Sequence, residues 1–107
     1  MNLIPPSIWV LLDDRAGNRS QCFGVTEALS LPFDIKDLKY SAMAMLPNRI
    51  LGASFWGLTK ESQSTLQEPW PDLVISAGRR TAPVAREIKY RSDGHTKLVH
   101  MMWPGAD

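Results

Sequence analysis

The chain has 107 residues, 44% apolar and 21% charged, which predict one globular domain over 1–107. Its net charge of +1 gives no support to nucleic-acid binding through a general electrostatic field. A single cysteine, Cys22, excludes an internal disulfide and points to a reducing, cytoplasmic setting.

In chain order, the opening residues carry no basic side chain and are broken by Pro5-Pro6, so they do not read as a signal peptide. No segment is long enough to span a bilayer. The run Ile8-Trp9-Val10-Leu11-Leu12 is uninterrupted and apolar, which predicts a strand buried on both faces, as in a parallel sheet covered by helices. It stops at Asp13-Asp14, passes Arg15 and Gly17, and restarts as a helix expected from about Arg19 to Leu29. That helix should present Cys22, Val25 and Leu29 on its inner face. Asn18 is placed to cap it, with Gln21 reaching back as in a capping box. Pro32 disfavours helical geometry at Leu31 and ends the element. Phe33-Asp34-Ile35-Lys36 alternates apolar and polar, which suits an outer strand with one wet face. The alternation slips at Asp37-Leu38, where a bulge or the strand's end is expected.

Residues Ser41 to Pro69 are the least patterned third. Leu46-Pro47-Asn48 reads as a turn into a short helix, and a second helix is expected from about Lys60 to Leu66. Pro69-Trp70-Pro71 enforces extended backbone. Asp72 to Ala77 then reads as a buried strand and Gly78 as a close turn. Thr81 is placed to cap the next helix, which carries Pro83 in its first turn and Val84, Ala85 and Ile88 as its inner stripe. Glu87 and Arg91, four apart, support its outer face. Ser92-Asp93-Gly94 stops it, and Leu98 to Met102 is a fourth strand, followed by Pro104-Gly105.

This order predicts an α/β fold: a Rossmann-like, doubly wound parallel sheet of four strands, with the first and third side by side at the centre. A chain that stops just after a buried-type strand reads as part of a larger domain. The last strand should need something to pair with it or cover it.

Both strand-to-helix loops fall at the carboxyl ends of strands, where open α/β sheets place their ligands. Ala77-Gly78-Arg79-Arg80-Thr81-Ala82-Pro83 offers helix-start N–H groups and two guanidinium forks, the elements of an anion site. The same arginines serve equally well to pair with Asp13 or Asp14 across the top of the sheet. Those two carboxylates are candidates for general base, metal ligand or ribose binder, although an acidic pair on a loop more often just hydrogen-bonds nearby backbone and arginine. Gly17 and Gly24 are too far apart for a dinucleotide fingerprint, and no Walker-type run occurs. No cluster of histidine, cysteine and carboxylate has metal-ligand spacing, so no metal is expected. His100 reads as a hydrogen-bonded core residue and Cys22 as a small buried hydrophobe. Ala53-Ser54-Phe55-Trp56-Gly57-Leu58 reads as packing over the sheet, or as contact with a lipid or a hydrophobic acceptor.

From Trp9 to Gly105 the chain resembles a known family. The strings W-V-L-L-D-D-R-A-G-N-R-S-Q, L-P-F-D-I-K, L-P-N, P-W-P-D-L-V-I-S-A-G-R-R-T-A-P-V-A-R and T-K-L-V-H-M-M-W-P-G look like the mitochondrial fission Elm family. Its bacterial members are labelled predicted nucleoside-diphosphate-sugar epimerases, and its fold is similar to GT-B glycosyltransferases. The resemblance implies two Rossmann-type domains, with the donor held mostly by the carboxy-terminal one and the acceptor by the amino-terminal one. This chain matches the amino-terminal part. It is therefore expected to hold no cofactor itself, with a nucleotide-sugar donor in the full-length protein and a small sugar or phosphorylated molecule as substrate.

On that resemblance Asp13 and Asp14 are the catalytic carboxylates. Arg15, Gly17, Asn18, Gly78, Arg79, Arg80 and Thr81 bind the substrate or its anionic group. Trp103 stands where the family is expected to carry an acidic residue before Pro104-Gly105, so a role tied to that carboxylate does not carry over. The competing function class is a non-catalytic interaction module. Plant relatives are linked to recruiting the fission dynamin to mitochondria, and the exposed-looking Phe55-Trp56 segment offers a surface for a protein partner or peripheral membrane contact.

Overall fold

The computed structural model describes residues 6–13 and 16–101 and holds four parallel strands in one sheet. These are β1 (Ile8–Leu12), β2 (Asp34–Asp37), β3 (Leu73–Ala77) and β4 (Lys97–Met101), in the order β2-β1-β3-β4. Val10 lies opposite both Ile35 and Ile75, and Ile75 lies opposite Val99. The first and third strands are central, as right-handed crossovers require.

Every residue of β1 is buried because helices cover both faces. Trp9 and Leu11 share one face with Val74, under the buried Val84, Ala85 and Ile88 of α4 (Ala82–Arg91). Ile8, Val10 and Leu12 share the other with Ile75 and Ala77, packed on Cys22 of α1 (Ala16–Leu29). Each fully buried Val, Leu or Ile side chain among these stabilises the fold by roughly 1.5–3 kcal/mol relative to exposure. The connection holds a 3₁₀ turn (Ala42–Met45) and two short helices, α2 (Asn48–Leu51) and α3 (Lys60–Ser64). The turn at Leu46-Pro47-Asn48 does lead into a helix, and α3 stops before the predicted Leu66.

Helix α1 differs from the sequence expectation in its start, its cap and its inner face. Helix α1 starts at Ala16, so Asn18 lies inside its first turn and is not its cap. Gln21 closes no capping box; its Oε1 is buried without a hydrogen-bond partner among the described residues. Leu29 is exposed, because the buried row runs Cys22–Thr26 and Ser30, at φ +53°, then turns the chain away. Thr26 tolerates that row by donating its hydroxyl to the Phe23 carbonyl at 2.9 Å.

The edges of the sheet supply the other differences. β2 is an outer strand as expected but begins after Phe33, and Ile35 is exposed along with Asp34 and Asp37 while Lys36 is half-buried. It ends at Asp37, after which the Leu38 N–H still pairs with the Leu12 carbonyl at 3.0 Å. β4 has the apolar look of a buried strand, yet it lies at the other edge of the described sheet and leaves Val99 exposed. Met102 lies outside the described residues.

Candidate functional site

The crevice between β1 and β3 is the topological switch point of this sheet. β1 runs on to a helix on one face and β3 to a helix on the other, so their carboxyl ends diverge and leave room for a ligand. Asp13, immediately past β1, is only 1% exposed. The Asn18 Nδ2 donates to Asp13 Oδ2 at 2.9 Å, and the Arg19 guanidinium donates to the Asp13 carbonyl at 3.2 Å. Asn18 lies inside the first turn of α1 and directs its Nδ2 donor at the carboxylate, so it serves the loop rather than capping the helix.

From the other strand, Gly78 closes on the same point. Its φ of +92° is a left-handed conformation that favours glycine, and a Cβ there would lie 2.9 Å from Asn18 Cγ. Its N–H is held by the Met101 carbonyl at 2.9 Å. The absence of a side chain at 78 is what lets the two loops touch. Asp13 and Asn18 of the first loop and Gly78 of the second are thus brought together.

The rest of the second loop is built largely to hold itself and its neighbours. Thr81 occupies the cap position of α4, but its buried hydroxyl donates back to the carbonyls of Ala77 at 2.9 Å and Gly78 at 3.2 Å and caps no helix N–H. Arg79 donates to the carbonyls of Ala44 at 3.2 Å and Leu46 at 3.3 Å and to Asn48 Oδ1 at 3.5 Å. Asn48 Nδ2 answers by donating to the Arg79 carbonyl at 3.1 Å. Arg79 with Pro47, Asn48 and Arg49 lines an open pocket of about 280 Å³, near the lower end of small-molecule sites. The Arg80 guanidinium lies 5.6 Å from the centre of the Tyr40 ring.

Gly17 is exposed on the first turn of α1. Asp14 and Arg15 lie outside the described residues, as do Trp103, Pro104 and Gly105. Phe55 is buried at 4% exposure beneath the Arg91 guanidinium, so only Trp56 of that pair offers surface. Burial, reinforced by the charge of Asp13, pushes the Cys22 thiol up to about 11, which leaves it a neutral packing group. Among the described residues, no three metal-ligating side chains stand together.

Sequence reading missed Asn48, Tyr40 and the pair Ser76–His100. Ser76 Oγ and His100 Nδ1 share a hydrogen bond of 2.7 Å between neighbouring strands. The imidazole is held below its ordinary pKa by burial and then by the charge of Arg86, with the Gly78 backbone opposing. Its Nε2 is buried without a hydrogen-bond partner among the described residues. The signal for this pair was a serine and a histidine on adjacent predicted strands, which becomes informative only once register is known.

An all-parallel sheet covered on both faces, with a polar crevice at its switch point, defines a Rossmann-like α/β protein. The model of the family "Mitochondrial fission ELM1" matches residues 16–107. The chain belongs to the mitochondrial fission ELM1 family. It is 35% identical over 99 residues to a protein of Rickettsia prowazekii (strain Madrid E) described as uncharacterized. The match takes in 92% of this chain and 28% of that protein, so the chain spans little more than a quarter of this relative's length. No solved structure matches it. No helix among the described residues is long and apolar enough to cross a membrane.

Proposed function

We propose that this chain is the amino-terminal, acceptor-side part of a GT-B-like, sugar-nucleotide-dependent enzyme, with its substrate at the carboxyl ends of β1 and β3. The observation that supports this best is the contact between the two loops. Asn18 holds the Asp13 carboxylate and rests against Gly78, so both loops border one crevice. In this reading an acceptor hydroxyl attacks the sugar carbon and gives its proton to the Asp13-Asp14 pair. Negative charge growing on the leaving phosphate is met by Arg80 and Arg15, while Arg79 shapes the adjoining wall. The donor nucleotide is bound by a second domain, in keeping with a relative of which this chain covers 28%.

The test uses a protein of the relative's full length and a panel of sugar nucleotides. Asp13→Asn, Asp14→Asn and Arg80→Ala should each lower transfer about 10²-fold or more with circular dichroism unchanged. Undiminished turnover in all three variants, or a wild type that binds no sugar nucleotide, would defeat the proposal.

A further inference from the structure

The net charge of +1 conceals a separation of charge. Residues 38–60 carry Lys39, Arg49 and Lys60 and no carboxylate. Residues 79–92 carry Arg79, Arg80, Arg86, Lys89 and Arg91 against the single acid Glu87. Together the two segments hold eight of the chain's twelve cationic residues and one of its eleven acidic ones. They are also neighbours in space. The Ser54 N–H donates to the Pro83 carbonyl at 3.2 Å, Arg79 binds the Ala44 and Leu46 carbonyls, and α2 packs against α4. Arg91 covers Phe55 with its guanidinium 4.4 Å from the ring centre. These neighbouring segments therefore make a predominantly basic patch, with Asp37, Glu61 and Asp93 at its margins.

The same side exposes large apolar groups. Met45 is 77% exposed and Trp56 60%, with Ile50 exposed between them in sequence and Met43 exposed just before Met45. Ser41 ties the two stretches together: its N–H donates to the Gly57 carbonyl at 2.9 Å and its hydroxyl to the Trp56 carbonyl at 3.3 Å. Gly57 in turn lies against Ala44, between the two methionines. Tyr90 on α4 is exposed as well.

Exposed Met, Ile and Trp among cations, with almost no carboxylate, is the composition of a surface that rests in a lipid headgroup layer. Anionic headgroups attract the Lys and Arg side chains while Trp and the aliphatic groups enter the acyl boundary. A nucleic acid would use the cations but leave Met45 and Ile50 in water. A second copy would set this side against itself, cation on cation. We propose that the face built from residues 38–60 and 79–92 docks on an anionic phospholipid membrane as a peripheral contact.

The experiment floats the full chain with vesicles of phosphatidylcholine alone or of equimolar phosphatidylcholine and phosphatidylglycerol. Binding is expected to the anionic vesicles only, declining as salt is raised. Arg49→Glu and Lys89→Glu should each lower partitioning about fivefold or more, and Met45→Ser with Trp56→Ser should lower it too. Lys97→Glu, on the β4 edge, should leave it unchanged. These side chains are exposed, and matching melting temperatures confirm that the variants fold. Equal binding to neutral vesicles, or insensitivity to the Arg49 and Lys89 reversals, would overturn the proposal. So would a dimer abolished by Trp56→Ser, or a preference for duplex nucleic acid over the anionic vesicles.

Discussion

Gly78 meets two demands at one Cα. Its φ of +92° disfavours any L side chain, and Asn18 occupies the space a Cβ would need. Gly78→Ala should therefore cost about 2–4 kcal/mol in denaturant unfolding, more than either backbone strain or overpacking alone. Repeating it in an Asn18→Ala background should recover the steric share and leave the backbone share. A cost below about 0.5 kcal/mol would mean that Asn18 does not hold that position.

His100 makes a second prediction at this scale. Burial and Arg86 lower its pKa in the fold below the ordinary 6.5. The unfolded chain therefore takes up the proton first, so this contribution is complete above 6.5 and drains away as pH falls from there toward the lowered value. Asp72, lowered by the Ser7 N–H and by His95, adds an acid loss of the same sign that begins only near 3.8. His100→Asn keeps a polar group beside Ser76 and removes the titration. Its melting temperature should fall less than the parent's between neutral and mildly acidic pH, and parallel curves would contradict the assignment.

At the scale of elements, Arg79 suspends the 3₁₀ turn and α2 from the β3–α4 loop through three donated hydrogen bonds. Lysine cannot reproduce that fork. Arg79→Lys should raise amide exchange across residues 42–51 about tenfold or more while leaving β3 unchanged. Unchanged exchange in 42–51 would mean the segment is held by Leu51 and Phe55 instead. The centre and edge of the sheet should also differ. Ile75→Ala in β3 should cost about 2–5 kcal/mol, whereas Val99→Ala at the exposed edge should cost less than about 1 kcal/mol by urea unfolding.

The strands and α4 were legible because β1 and β3 are long apolar runs and Val84, Ala85 and Ile88 keep a helical stripe. The connection was not, since α2 and α3 are too short for a period to emerge. The start of α1 was misplaced because a polar residue near a helix start reads as its cap, whereas Asn18 lies inside the first turn and donates to Asp13.

For the whole molecule, the separated charges matter more than their sum. At its pI of about 7.9 the chain should still be retained on a sulfonate cation exchanger, because the resin meets the basic side and not the average. Arg49→Glu with Lys89→Glu should abolish retention at that pH, and elution of the parent chain in the void volume would contradict the separation. The sheet order β2-β1-β3-β4 follows from element order and right-handed crossovers, so it was readable in advance.

The sequence by itself determined the α/β class, the two central strands and the placing of both polar loops at one end of the sheet. Hydrophobic runs and parallel topology are properties of order along the chain, and they need no coordinates. Only the tertiary structure decided partnership: Asn18 with Asp13 under Gly78, Arg79 with the Ala44 and Leu46 carbonyls, Ser76 with His100, Phe55 buried and Trp56 exposed. Most of these contacts join residues far apart in the chain. Such contacts depend on strand register and on which side chain reaches the shared space first, and neither is encoded in local spacing.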